Sequence, residues 1–401
     1  MSKTAEIIAQ NEAYGAHNYH PLPVVITEAK GVWVHDVEGK KYLDCLAAYS
    51  AVNQGHCHPR LVEALKQQAE RCTLTSRAFH NDQLGAFCKE LAEYCDMESV
   101  LPMNTGAEAV ETAIKLVRRW GYQVKGVPTD QAEIIVCSGN FHGRTTTIVG
   151  FSSEETYRRG FGPFTPGFKL VSYGDLAAFE AAITANTCAF LVEPIQGEAG
   201  VIVPPEGYLK GAAALCKKRN VLLVTDEIQS GFGRTGRKFA SELEGVAPDV
   251  LIVGKAAAGG MYPVSAVLAS RALMNLFQPG DHGSTFGGNP LGAAVAREAL
   301  RVISDEKLVE RSAELGEYFM GRLREIESPH VDHIRGVGLW IGIVLKASAG
   351  GARRFCEALL EEGMLCKETH ENVIRIAPPL VIEKTEIDWA LERISRALKM
   401  A

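Results

Sequence analysis

Lys255 ends the run Asp249-Val250-Leu251-Ile252-Val253-Gly254-Lys255 and opens the loop Ala256-Ala257-Ala258-Gly259-Gly260. An apolar strand thus delivers one amine into a small-residue loop. Upstream, the apolar run Val221-Leu222-Leu223-Val224 ends in Thr225-Asp226-Glu227. Lysine is expensive to bury, so a lysine at a buried strand end usually has a task. One such task is a Schiff base with a carbonyl cofactor. An aspartate on a neighbouring strand end suits pyridoxal phosphate, whose ring nitrogen wants an acidic partner. The alternative is a solvated lysine just past a strand, and Lys255 alone leaves both open.

Other segments add to this pattern. Asn104-Thr105-Gly106-Ala107-Glu108 opens a helix with the apolar stripe Val110, Ala113, Ile114 and Val117. Thr105 and Glu108 fit a capping box, and Gly106 and Ala107 leave first-turn amides open to a phosphate. A well-capped helix with no ligand fits the same residues. Gly139-Asn140-Phe141-His142-Gly143-Arg144 follows a strand; Phe141 could stack on a planar ring and Arg144 could hold a carboxylate. Arg375 sits inside the apolar run Val373 to Pro379, where a guanidinium needs an anionic partner. Glu198, in Glu193-Pro194-Ile195-Gln196-Gly197-Glu198, is a candidate. Gly231-Phe232-Gly233-Arg234-Thr235-Gly236 matches a dinucleotide fingerprint, but Asp226 and Glu227 intervene and would repel a pyrophosphate. His56-Cys57-His58 reads as loop structure, since neighbouring residues chelate one ion poorly; no metal site is expected.

The elements that must position these residues are legible in outline. Residues 1–30 are mixed and turn-rich, and a hairpin spans Val32 to Asp44. Helical patterns occupy about 59–72 and 82–95. Ile134 to Cys137, Ala189 to Val192, Val221 to Val224 and Leu251 to Val253 are continuous apolar runs, as in parallel strands covered on both faces. Helical stretches at 107–120, 176–184 and 207–218 alternate with them, which predicts an open α/β sheet. Ligands of such sheets gather at the carboxyl ends of the strands, where Glu193, Asp226 and Lys255 fall. From about 291 the pattern becomes a smaller α+β unit: a long helical stretch over 291–326, the run Val337 to Val344, a helix over 351–362, a strand from Val373 to Ile376, and a last helix capped at Thr385.

The chain has 401 residues, net charge −6, 46% hydrophobic and 22% charged residues. These values fit a soluble globular protein of two domains and give no reason to expect nucleic acid or membrane as partner. No apolar run reaches the roughly 18 residues of a membrane span. The ten cysteines lack Cys-x-x-Cys pairs and read as reduced thiols.

Thr225-Asp226-Glu227-Ile228-Gln229-Ser230-Gly231-Phe232-Gly233-Arg234-Thr235-Gly236, followed by Gly254-Lys255, resembles the signature of class III aminotransferases, pyridoxal-phosphate enzymes of fold type I. The resemblance runs from about residue 12 to the last helix. Gly15 to Pro23, Tyr49 to His56 and Gly160 to Phe168 are most similar to the branch of the family that moves the δ-amino group of ornithine. It implies an N-terminal segment (1–50) packing with the small domain, a large pyridoxal-phosphate-binding domain (51–290) and a C-terminal small domain (291–401).

The same resemblance implies roles. Lys255 would carry the Schiff base and the transferred proton, and Asp226 would keep the ring nitrogen protonated. Gln229 would contact the ring hydroxyl and Phe141 its face. Thr105, Gly106 and Ala107 would hold the phosphate, joined by Ser284 and Thr285 from the partner subunit of a homodimer or a larger assembly. Tyr19 and Arg144 would grip ornithine, and Tyr49 would shape the pocket. Glu198 would pair with Arg375 and release it when 2-oxoglutarate arrives, because one site must bind a dicationic amino acid and a dianionic keto acid in turn. Action on acetylornithine or 4-aminobutyrate, or an aminomutase reaction on the same fold, are the alternatives. Ala257-Ala258 depart from the family pattern of Leu and then Ser or Gly, which predicts looser packing beside the lysine. The start Met1-Ser2-Lys3 shows no transit segment, so a cytoplasmic setting is expected.

Overall fold

The computed structural model describes residues 2–400. Its centre is a seven-stranded sheet in the spatial order Ser99–Met103, Ser265–Ala269, Val250–Val253, Leu222–Asp226, Thr187–Val192, Glu133–Cys137, Phe168–Val171. The last five of these run parallel to one another. Ser265–Ala269 and Val250–Val253 are antiparallel, as are Ser265–Ala269 and Ser99–Met103. The continuous apolar runs have a plain cause. Ile134, Val136, Ala189 and Leu191 face the layer under helix Gly106–Trp120. Ile135, Cys137, Phe190 and Val192 face the opposite layer, which contains Leu209, Ala212 and Cys216 of helix Tyr208–Arg219. Both faces are covered, so every position must be apolar.

Two four-stranded sheets make up most of the rest. In one, Ile26–Lys30, Trp33–Asp36 and Lys41–Asp44 form a meander, and Lys41–Asp44 pairs in parallel with Met364–Leu365. The start of the chain is thereby hydrogen-bonded to its C-terminal part. In the other, Trp340–Leu345 lies between Val331–Val337 and Val373–Ile376, with Lys367–Thr369 at the edge. Gly342 sits opposite Arg375 in that register.

Four stretches differ from the outline or gain detail in the structure. The first thirty residues are not merely turn-rich: Lys3–Tyr14 is a helix, with no buried residue and hence no apolar stripe to announce it. The stretch 291–326 is two helices, Pro290–Asp305 and Leu308–Arg324, broken where Lys307 takes φ 52°. The run Val337 to Val344 is a hairpin, because Gly338, at φ 60°, turns the chain between Val331–Val337 and Trp340–Leu345. The last helix begins at Lys384, and its box is made by Glu383 and Glu386, with Glu386 Oε2 accepting from the Glu383 amide at 2.9 Å.

One feature had no sequence signal. Ala47–Ser50 form a single helical turn whose φ angles are 47°, 47°, 60° and 69°. Four successive non-glycine residues are left-handed, each at a cost of roughly 1–2 kcal/mol. This strained turn presents Tyr49, and Asp44 Oδ1 braces its entry by accepting from the amides of Leu46 and Ala47 at 2.8 and 3.0 Å. Among the described residues no helix is long and apolar enough to cross a membrane.

Candidate active site

A cavity of about 200 Å³ lies at the carboxyl ends of the parallel strands. Lys255, Asp226, Glu198, Gln229, Phe141, Gly106 and Ala107 all line it, as do Glu193 and His142. Residues far apart in the chain meet there because each follows a strand end or opens a helix.

Lys255 follows Val250–Val253 and opens a short turn, Lys255–Ala258, with φ 47°. A left-handed lysine aims its side chain away from the strand line and into the cavity. Burial pulls its amine from 10.5 down to about 8, against the pull of Glu198 in the other direction. An amine in that range is neutral often enough to attack a carbonyl. Beside it, Ala257 and Ala258 are 2% and 0% exposed and belong to the main apolar cluster. Gln54 Nε2 donates to the Ala256 carbonyl at 2.9 Å and so ties down the backbone of this turn.

Asp226 closes strand Leu222–Asp226. Its Oδ2 accepts from His142 Nδ1 at 2.7 Å, and its Oδ1 from the Ile228 amide at 3.1 Å. Burial opposes a charge on His142, but the bond to Asp226 and its charge outweigh that, and the imidazole is raised above its usual range. Glu193, just past strand Thr187–Val192, accepts from the amides of Phe141 and Gly197 at 2.8 and 3.3 Å. Burial pushes its carboxyl up to about 7.

Glu198 and Arg375 form the ion pair sought in the sequence. Arg375 Nη1 donates to Glu198 Oε1 at 2.8 Å, and Gln229 Nε2 donates to the same oxygen at 3.1 Å. Burial raises the Glu198 carboxyl, but Arg375 and Lys255 more than offset this and hold it below the usual range. Arg375 is 2% exposed, and its guanidinium lies 4.7 Å over the Tyr49 ring.

The capping box at Thr105 is complete: the Glu108 amide donates to Thr105 Oγ1 at 3.3 Å, and the Thr105 amide to Glu108 Oε2 at 2.8 Å. This leaves the Gly106 and Ala107 amides at the cavity without intrahelical acceptors.

Other expected residues lie outside this cavity. Arg144 stacks 3.7 Å over the Tyr157 ring, which in turn meets Phe141 edge-on. Tyr19 is 76% exposed and, with Tyr49, lines a separate apolar cavity of about 390 Å³. Ser284 Oγ accepts from Asn104 Nδ2 at 2.9 Å, and neither it nor Thr285 lines the chain's own cavity. His56 and His58 pair separately, with Asp44 at 2.7 Å and Glu306 at 2.8 Å. His142, Glu193 and Tyr157 were given no role from sequence. The first two lie in the motifs that hold Phe141 and Glu198, but their partners lie 84 and 52 residues away.

The donor set fits pyridoxal phosphate. Gln229 Oε1 is buried without a partner, as a contact for a ring hydroxyl requires. A carboxylate, an amine of lowered pKa, an aromatic face and open helix amides supply the remaining contacts. The model of the aminotransferase class-III family matches residues 14–398. The chain belongs to the class-III aminotransferases. Family relatives are similar over their whole lengths. The ornithine aminotransferase of Brevibacillus brevis is 63% identical over 398 residues, covering 99% of each chain. That of Bacillus subtilis is 59% identical, covering 100% of this chain and 99% of its own. Among solved structures, the ornithine aminotransferase of Toxoplasma gondii superposes with TM-score 0.98 at 46% identity, covering 99% of this chain and 94% of that one. The acetylornithine aminotransferase of Elizabethkingia anophelis gives 0.90 at 48%, covering 99% of each. The family's fold, type I of the pyridoxal-phosphate enzymes, is the α/β architecture described above.

Proposed function

We propose that this chain transfers the δ-amino group of L-ornithine to 2-oxoglutarate in two alternating half-reactions. The products are glutamate 5-semialdehyde, which cyclises to pyrroline-5-carboxylate, and L-glutamate. The observation that carries this reading is the buried Arg375 held by Glu198 beside Lys255. An arginine already neutralised by a carboxylate suits a cationic donor; the same arginine set free suits a dianionic acceptor. The relatives of about 60% identity that bear the name ornithine aminotransferase support the same substrate.

Pyridoxal phosphate, when bound, supplies a carbonyl that accepts amines and a ring that takes up electrons. The protein does the rest. Gly106 and Ala107 amides hold the phosphate at the helix N-terminus, with Thr105 fixing their geometry. Ser284 and Thr285, which do not line their own cavity, would reach the phosphate of the neighbouring subunit in a homodimer. Phe141 would cover one ring face, Gln229 would accept from the ring hydroxyl, and Asp226, oriented by His142, would hold the proton on the ring nitrogen. Lys255 Nζ, with its pKa near 8, takes and returns the proton at the carbon bearing the amino group. Tyr19 and Arg144 hold the far carboxylate of ornithine, and Tyr49 closes the pocket against shorter amines.

The parallel pairing of Lys41–Asp44 with Met364–Leu365 supports a division into an N-terminal segment 1–50 that packs with a small domain 291–401, around a large domain 51–290. We place the enzyme in the cytoplasm as a homodimer that acts on small molecules alone.

The likeness to an acetylornithine aminotransferase gives the competing reading. Incubation with ornithine and 2-oxoglutarate is expected to yield a trapped pyrroline product. Absence of that product, with rapid turnover of N-acetylornithine, overturns the proposal. Repeated turnover of ornithine to an isomeric diamino acid without 2-oxoglutarate would instead indicate an aminomutase.

A further inference from the structure

The glycine-rich run Gly231–Gly236 is not a phosphate loop, and the residue at its centre is the one that needs an explanation. Arg234 is fully buried and makes no ion pair among the described residues. Burial pulls the guanidinium down to about 9, and only the more distant charge of Asp44 opposes this. An unneutralised buried cation is costly, so its bonds must secure something the fold would otherwise lack.

Those bonds run to three separate segments. Nη1 donates to the Leu339 carbonyl at 2.9 Å and to the Pro378 carbonyl at 2.6 Å, and Nη2 donates to Asn53 Oδ1 at 2.5 Å. Asn53 lies just beyond the left-handed turn that presents Tyr49. Pro378 lies just beyond the strand that carries Arg375. Leu339 forms the turn of the hairpin whose second strand pairs with that strand. Arg234 itself follows Asp226 and Gln229 on one short loop. One guanidinium therefore links the cofactor-side loop to both substrate-side elements.

The joint has no slack. A side chain at Gly338 would meet the Arg234 carbonyl at 2.7 Å, and one at Gly236 would meet Ala313 Cα at 2.8 Å. Ser312 Oγ donates to the Arg234 carbonyl at 2.9 Å and accepts from the Leu339 amide at 3.2 Å. Asn53 Nδ2 returns a bond to the Phe232 carbonyl at 3.1 Å. Backbones this close slide only by losing several of these bonds together.

We propose that Arg234 is a positioning residue for substrate selection, which sets the Tyr49 turn and the Arg375 strand in register with the Asp226–Gln229 loop without touching cofactor or substrate. The proposal rests on the reading that Arg375 and Tyr49 meet the substrates.

Arg234→Lys keeps the charge but loses the fork; Asn53→Ala removes one arm and leaves the arginine. Both holoenzymes are compared with the parent by visible absorbance, cofactor affinity, near-ultraviolet circular dichroism, and calorimetric binding of glutarate, a dicarboxylate that cannot react. Cofactor affinity and absorbance are expected to stay within about two-fold. Glutarate affinity is expected to fall about ten-fold or more, the KM for 2-oxoglutarate to rise in step, and kcat to change less. The preference for ornithine over 4-aminobutyrate is expected to narrow by a similar factor. Equal losses in cofactor and glutarate affinity would reduce Arg234 to a structural residue, and unchanged glutarate affinity would overturn the proposal outright. If Arg234→Lys does not fold, Asn53→Ala decides by the same readings. The parent's turnover of ornithine, measured alongside, shows separately whether the functional reading itself has failed.

Discussion

Glu198 and Arg375 share a bond of 2.8 Å inside a site where Arg375 has almost no exposure of its own. Gln229 holds the same carboxylate oxygen at 3.1 Å, so Glu198 has an alternative partner when it leaves the arginine. Removing one partner of a buried pair strands the other, at about 3–5 kcal/mol. A stranded Arg375 should seek any carboxylate it is offered. Glu198→Gln, which keeps the shape but not the charge, is therefore expected to lower the KM for 2-oxoglutarate by about ten-fold. It should also raise the rate with glutamate as donor relative to ornithine. Steady-state kinetics with both donors checks this, and an unchanged donor ratio would remove Glu198 from its gating role.

Gly197 is the second position where the gate can be probed. A side chain there would sit 1.6 Å from Gln229 Oε1 and 2.7 Å from the buried ring of Trp340. Gln229 must yield, since the tryptophan is enclosed. Gly197→Ala is thus expected to turn Gln229 off Glu198 and away from the ring hydroxyl. Overpacking of this kind costs about 1–3 kcal/mol. The variant should fold with a lower thermal midpoint and a shifted visible absorbance maximum. An unshifted spectrum would mean that Gln229 does not contact the cofactor.

What could be read from the sequence was what is local. Lys255 and Asp226 each end an apolar run, and Thr105 and Glu108 are spaced for a box, so their placement needed no tertiary information. The pair Glu198 and Arg375 was legible for another reason: a guanidinium within an apolar strand demands an anion. His142 was not legible as a support for Asp226, because its neighbours say nothing of a partner 84 residues away. The hairpin at Gly338 was hidden because its first strand, Val331–Val337, carries Asp332, His333 and Arg335 and no buried residue, and one turn residue is Leu339. The break at Lys307 carries neither glycine nor proline. The left-handed turn at Tyr49 breaks the local rules outright, which is expected where a site imposes a conformation that propensity opposes.

The helix that opens at Gly106 gives a prediction in which stability and binding separate. Thr105 Oγ1 accepts from the Glu108 amide, and Ser265 Oγ donates to the Thr105 carbonyl at 2.7 Å. Thr105→Ala removes only the side-chain half. A lost cap costs about 1 kcal/mol. Freed first-turn amides should also bind phosphate less tightly. Cofactor affinity is expected to fall a few-fold, while Thr105→Ser restores it. If alanine and serine variants bind the cofactor alike, the box serves the helix alone.

The lowered pKa of Lys255 makes a prediction about the cofactor-free protein. Burial, the largest cause, takes the amine from 10.5 to about 8. Below pH 8 both folded and unfolded chains carry the proton, and the folded state bears the full cost of a buried ammonium. Between pH 8 and 10.5 the folded chain has released a proton that the unfolded chain still holds, so stability rises with pH across that window. Arg234, drawn down to about 9, contributes in the same direction, so the parent's curve alone is not diagnostic. The difference between the parent and Lys255→Met is. Methionine fills the same space with no charge, so the variant should be the more stable protein at pH 7, and the gap should close as pH rises from 8 to 10.5. Thermal midpoints of both cofactor-free proteins across that range measure it. A gap that stays constant with pH would mean that the Lys255 amine is not held in its neutral form by burial, and its fitness to attack a carbonyl near neutral pH would need another cause.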